Sequence, residues 1–181
     1  MKSWSNWLYE QSSGRVALIA LIIFGIFMVF VLPGQAEQAE AIAPGVGSPD
    51  TTFLYGTRDL YSMAEGYGAE GRAAYIDARF TFDLVFPVIY GFFLVTAVSW
   101  MGGRVIPPAS RWRSANLLPV LGVVFDFLEN SMASIVMARY PAQTAVIDAF
   151  TPLFSVLKWI CVGGSFGLLL VLVLRVMLKR S

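Results

Sequence analysis

The chain has 181 residues, 57% of them hydrophobic and 14% charged, and its mean hydropathy of +0.67 is too high for a soluble domain. A formal net charge of +1 provides no basic face for a nucleic acid. There is no histidine and a single cysteine, Cys161. These two facts exclude an internal disulfide, the usual zinc and haem ligand sets, Ser-His-Asp catalysis and every histidine proton shuttle, so neither metal nor cofactor is expected.

Taken in order, residues 1–15 combine Lys2, Glu10 and Arg15 with Trp4, Trp7 and Tyr9, the composition of an interfacial segment. Val16 to Leu32 has no polar side chain and ends at Pro33-Gly34. At ~1.5 Å per residue it spans about 26 Å, enough for a first transmembrane helix. The rival reading is a signal peptide cut after Ala36; the length of the apolar run favours an uncleaved anchor.

Residues 34–79 are the only substantial polar region. Gln35 to Asp50 reads as a loose connection. Leu54, Tyr55, Leu60, Tyr61, Met63, Ala64 and Tyr67 then suggest a short amphipathic helix on the membrane surface or at the bundle mouth, broken by Gly66 and Gly68. A second span follows over 80–101, with Asp83, Pro87 and Tyr90 on one face, and Pro87 is expected to kink it. The third covers 115–138 and the fourth 146–174. The Arg139-Tyr140-Pro141 turn between them is short, which predicts antiparallel neighbours. The expected fold is therefore all-α, a single membrane domain with four transmembrane helices in an antiparallel bundle.

Placing both termini and the 104–114 loop on one side gathers Lys2, Arg15, Arg104, Arg111, Arg113, Arg175, Lys179 and Arg180 there, against Glu10 alone. The opposite side carries Glu37, Glu40, Asp50, Asp59, Glu65, Glu70 and Asp77 with four arginines. The positive-inside rule then makes the termini cytoplasmic and turns residues 34–79 outward, in a bacterial inner membrane.

Against this apolar background one stretch stands out, Phe125-Asp126-Phe127-Leu128-Glu129-Asn130 in the third span. Asp126, Glu129 and Asn130 fall at i, i+3 and i+4 and share a helix face. Counting from the helix ends at ~1.5 Å per residue places Glu129 about 15 Å deep, Asp126 about 20 Å, Lys158 about 18 Å and Tyr90 about 15 Å, with Asp83 shallower at about 5 Å. Three helices thus contribute to one polar layer. Asp126 costs about 3 kcal/mol at a helix centre, and Glu129 a similar amount, whereas the span's eleven Leu, Ile, Val and Phe residues return roughly 3–7 kcal/mol. Inserted as a hairpin with the fourth span, the third can have one carboxylate, Glu129 or Asp126, neutralised by Lys158. The other acid is left over, to be protonated or solvated.

Two readings of the layer compete. In one it is a buried ion pair that fixes helix register, with Asn130 and Tyr90 filling hydrogen bonds. In the other it lines a cavity that binds a polar head or carries protons. Arg72, Tyr75, Asp77 and Arg79 belong to the outer mouth, where the arginines and Asp77 can pair with one another, meet lipid headgroups or form a solvated face. Gly163 and Gly167 form a small-xxx-small pair read as packing within the monomer, with a dimer contact as the alternative. Cys161 reads as inert filler.

Gly71-Arg72-Ala73-Ala74-Tyr75, then Asp83 with Phe86-Pro87 and Tyr90, then Asp126-Phe127-Leu128-Glu129-Asn130 together resemble a set of bacterial four-helix integral membrane proteins. Those proteins carry a G-R-x-x-Y segment, a D-x-x-[FY]-P-x-x-Y helix and a D-[FY]-L-E-N span. The resemblance covers about residues 50–160 and implies the four-helix architecture, but no activity. The sterol-isomerase-like membrane fold also places acids and an asparagine in its helices, but the histidine of its catalytic members is missing here. The functional expectation is a non-enzymatic membrane protein that binds a lipid-like ligand, a partner helix or a second copy of itself through helices two to four. The alternatives are an intramembrane enzyme acting on an isoprenoid or lipid, with Asp126 or Glu129 as acid or base, and proton-coupled transport by an oligomer.

Overall fold

The computed structural model describes residues 2–179; Arg180 and the side chain of Lys2, both used to orient the chain, lie outside what is described. Among the described residues the chain is all-helical. A short α1 (Lys2–Gln11) precedes α2 (Gly14–Ile42), α3 (Thr57–Phe80), α4 (Phe82–Val105), α5 (Leu118–Arg139) and α6 (Ile147–Leu178). Four stretches are long and apolar enough to cross a membrane: Gly14–Ile42, Thr57–Val105, Arg111–Arg139 and Ile147–Leu178.

The first helix does not stop at Pro33-Gly34. Residues Phe27–Val31 form a π turn in which the Leu32 N–H bonds the carbonyl of Phe27. Pro33 has no N–H to give, and its ring would collide with the carbonyl four residues back in a regular α-helix. The wider turn just before it relieves that clash, and the helix continues to Ile42. Much of what reads as a loose connection is therefore helical. Only residues 43–56 form an irregular link, with one 3-10 turn at Pro49–Thr51.

Helix α3 begins where the Asp59 carboxylate accepts the N–H of Gly56 at 2.8 Å. Leu60, Ala64, Tyr67, Gly71 and Tyr75 form its buried stripe, and all but Gly71 pack in one cluster with Ala133, Val136 and Met137 of α5. Of the two glycines expected to break it, only Gly68 does, with φ +63° and ψ −177°. Tyr55, expected on this helix, precedes it. The chain breaks again at Thr81 (φ −122°, ψ −82°), and α4 follows at once.

Helices α5 and α6 pack most extensively against each other, and α4 lies against α2, α5 and α6. Phe24 of α2 stacks on Phe93 at 5.0 Å, and Phe27 stacks on Phe82 and Phe86 at 5.7 Å. Gly14, Gly91, Gly102 and Gly122 allow close helix approach, two of them between the main spans at Val123 and Val162. A Cβ on Gly91 would stand 2.4 Å from Val123, and one on Gly122 would stand 2.9 Å from Val162. Gly163 and Gly167 do not pack within the monomer; nothing lies within 4 Å of where their Cβ atoms would be. Position on the helix cylinder, rather than spacing, decides which glycines serve packing.

Where α1 packs against α4 and the Arg111–Leu117 turn, Asn116 is fully buried. It accepts from Ser5 Oγ at 2.7 Å and donates to the Ser5 carbonyl at 3.1 Å and to Ser99 Oγ at 3.0 Å. The Arg113 guanidinium covers the Tyr9 ring at 3.8 Å. Helix α1 is thus tied onto α4 and the Arg111–Leu117 turn, while Trp4 and Trp7 stay exposed.

Candidate functional site

The three polar residues of α5 divide between two environments. Glu129 is fully buried, and its Oε2 lies 2.5 Å from the Lys158 ammonium of α6. Its other oxygen accepts the Tyr55 hydroxyl at 2.9 Å. Tyr55 comes from the bend before α3 and reaches into the bundle, where burial, then the neighbouring Glu129 charge, pushes its phenol far above the usual value and keeps it a donor. Both oxygens of Glu129 are therefore occupied, one by a full charge.

Asp126, one turn away, has neutral partners. Tyr90 of α4 donates to Oδ2 at 2.7 Å, and Asn130 donates to Oδ1 at 2.9 Å. The Asn130 bond follows from the i, i+4 spacing. No salt bridge reaches Asp126 among the described residues. The lysine goes to Glu129, and Asp126 is the carboxyl left over.

Asp83 does not stand alone. It pairs with Arg79 at 2.8 Å across the break at Thr81, and Arg79 also pairs with Asp50 of the 43–56 link. Arg79 covers the ring of Tyr75 at 4.4 Å. Pairing among Arg72, Arg79 and Asp77, one of the three alternatives, does not occur among the described residues. Arg72 donates to the Ala64 carbonyl at 2.9 Å and covers Tyr140 at 4.7 Å, while Asp77 is exposed. Sequence proximity does not decide the partner: Arg79 is held by Asp83 across the break and by Asp50 of the link.

A cavity of about 920 Å³ joins these groups. Phe24, Met28 and Leu32 of α2, Phe86 of α4, and Val162 and Phe166 of α6 give it apolar walls. Asp50, Asp77, Arg79, Asp83, Tyr90, Asp126 and Lys158 also line it, whereas Glu129 and Asn130 do not. Tyr75 and Trp159 line it too, and neither the Tyr75 hydroxyl nor the Trp159 indole N–H has a hydrogen-bond partner. Large apolar pockets with a few convergent polar groups are the usual form of a small-molecule site.

Of the groups named from sequence, Tyr75, Asp77, Arg79, Asp83, Tyr90, Asp126 and Lys158 meet at the cavity, Glu129 and Asn130 bond to Lys158 and Asp126 without lining it, and Arg72 lies apart; Tyr55, Asp50 and the wall supplied by α2 are additions. Asp50 lies in the polar link, whose composition does not signal that it turns inward, and Tyr55, read from its apolar neighbours into the amphipathic helix, falls in the same link just before that helix begins. No family model, curated protein or solved structure matches the chain.

Proposed function

We propose that this is a non-enzymatic, multi-pass protein of a bacterial inner membrane that binds a lipid-like ligand in the cavity lined by α2, α3, α4, α5 and α6. The observation that carries this reading is the cavity itself, about 920 Å³ with apolar walls and a cluster of charged and polar groups. That combination suits an amphiphile, its chain along Phe24, Phe86 and Phe166 and its head near Asp126 and Arg79. The basic residues around both termini and the 104–114 loop favour cytoplasmic termini, and the link 43–56 and α3 would then sit at the outer face. The seven-residue link between α5 and α6, from 140 to 146, and the Glu129–Lys158 pair across them favour antiparallel threading.

The test is retention of lipid through purification in a mild nonionic detergent, read by native mass spectrometry. Wild-type protein should carry an amphiphile. Ala78→Trp, which adds bulk at the cavity wall, should lose it while keeping its helical circular dichroism. Equal retention by both proteins, or none by wild type, would sink the proposal.

A second reading, an intramembrane enzyme acting on an isoprenoid or lipid, is favoured by one observation. Tyr90 and Asp126 share a 2.7 Å hydrogen bond at the cavity wall, the form of an acid–base pair. Its test is a lipid profile after deletion and overexpression; an unchanged profile in both would count against it. The transport reading needs a water path to both sides. Where α1 packs against α4, the buried Ser5–Asn116–Ser99 network stands in the way of such a path.

A further inference from the structure

The buried polar layer does not balance in charge. Asp50, Asp83, Asp126 and Glu129 supply four carboxylates, and Arg79 and Lys158 supply two cations, which leaves two negative charges in excess when all are ionised. Arg79 is shared between Asp50 and Asp83, and Lys158 is taken by Glu129. Asp126 therefore faces the cavity with neutral partners only, and Asp77, also lining it, adds to the excess. A second, independent feature points to a ligand. Tyr75 is only 5% exposed, lines the same cavity, and its hydroxyl has no partner.

The walls have a matching character. Phe24, Phe82, Phe86, Tyr90, Trp159 and Phe166 present aromatic surface to the cavity. Aromatic faces attract cations through the ring quadrupole, and more strongly where water is excluded. An unpaired carboxylate within aromatic walls repels an anionic head, leaves a neutral head without a counter-charge, and favours a cationic one.

On the reading that the cavity holds an amphiphile, we propose that it selects a lipophilic cation, with an ammonium or phosphonium head and Asp126 as counter-ion. The unpartnered Tyr75 hydroxyl can accept from an N–H of a protonated amine. The net excess of carboxylate over Arg79 and Lys158 sets the sign of the preference.

The experiment uses the full chain in an uncharged maltoside detergent and a pair of probes alike in shape and opposite in charge. These are radiolabelled tetraphenylphosphonium and tetraphenylborate. Tetraphenylphosphonium should bind saturably and at least about tenfold more tightly than tetraphenylborate. Asp126→Asn should weaken it about tenfold or more, Asp126→Glu should largely retain it, and Ala78→Trp should abolish it. Wild-type affinity in folded Asp126→Asn, or tetraphenylborate binding as tight as the cation's, would overturn the proposal. If Asp126→Asn does not fold, the sign preference of the wild type and the Ala78→Trp result decide. Retained lipid without cation preference would defeat the charge selectivity and leave the cavity reading standing. Absence of both lipid and probe would defeat the two together.

Discussion

Glu129 and Asp126 sit three residues apart on one helix and meet opposite surroundings. Glu129 is sealed between α5, α6 and the inserted Tyr55, with a lysine on one oxygen and a phenol on the other. Asp126 opens onto the cavity and holds only Tyr90 and Asn130. On the proposed reading, the difference assigns structure to one acid of the layer and binding to the other. A buried charge fully matched by fixed partners sets helix register, and a carboxyl without a matching cation at a cavity wall is free to meet a ligand.

That contrast can be broken most directly from the structural side. Lys158→Met leaves Glu129 buried without its cation and should destabilise the protein by about 3–5 kcal/mol, read as a shift in its unfolding by sodium dodecyl sulfate in mixed micelles. Adding Glu129→Gln to Lys158→Met should recover much of that loss, because the uncompensated charge is then gone. Tyr55→Phe removes one hydrogen bond to the same carboxylate and should cost about 1.5–3 kcal/mol in the same assay. On the binding side the expected effects on folding are smaller. Asp126→Asn keeps an acceptor for Tyr90 and should cost no more than about 1 kcal/mol, while altering which ligand is retained. Asp77→Asn, at an exposed position, should leave the unfolding transition unchanged.

The spans were legible because bilayer thickness imposes a length, and that length survives in the apolar runs. The centre of the site was legible for a related reason: ionisable residues are so rare at that depth that counting turns from the helix ends brings Lys158, Asp126, Glu129 and Tyr90 together. Other features depend on three-dimensional accommodation. Pro33 reads as a stop, yet the π turn at Phe27–Val31 carries the helix past it and supplies Gln35, Ala39 and Ile42 to the cavity wall. Tyr55 reads as part of the amphipathic helix, but that helix starts at Thr57, and the bend before it turns the Tyr55 side chain to Glu129. Gly163 and Gly167 have the spacing of a packing pair but face away from the other helices, whereas Gly91 and Gly122, isolated in sequence, make close contacts between the main spans. Arg79 pairs with Asp83 across the break at Thr81 and with Asp50 of the link rather than with Asp77, its near neighbour in the chain, so sequence proximity does not decide the partner.

The division of labour between the two acids rests on which of them the lysine holds. A pair of double-mutant cycles, Lys158→Met with Glu129→Gln and Lys158→Met with Asp126→Asn, measures this in the unfolding assay. A coupling energy of about 1–3 kcal/mol is predicted between Lys158 and Glu129, with near-additivity between Lys158 and Asp126. Strong coupling of Lys158 to Asp126 and additivity with Glu129 would reverse the roles of the two acids and contradict the account.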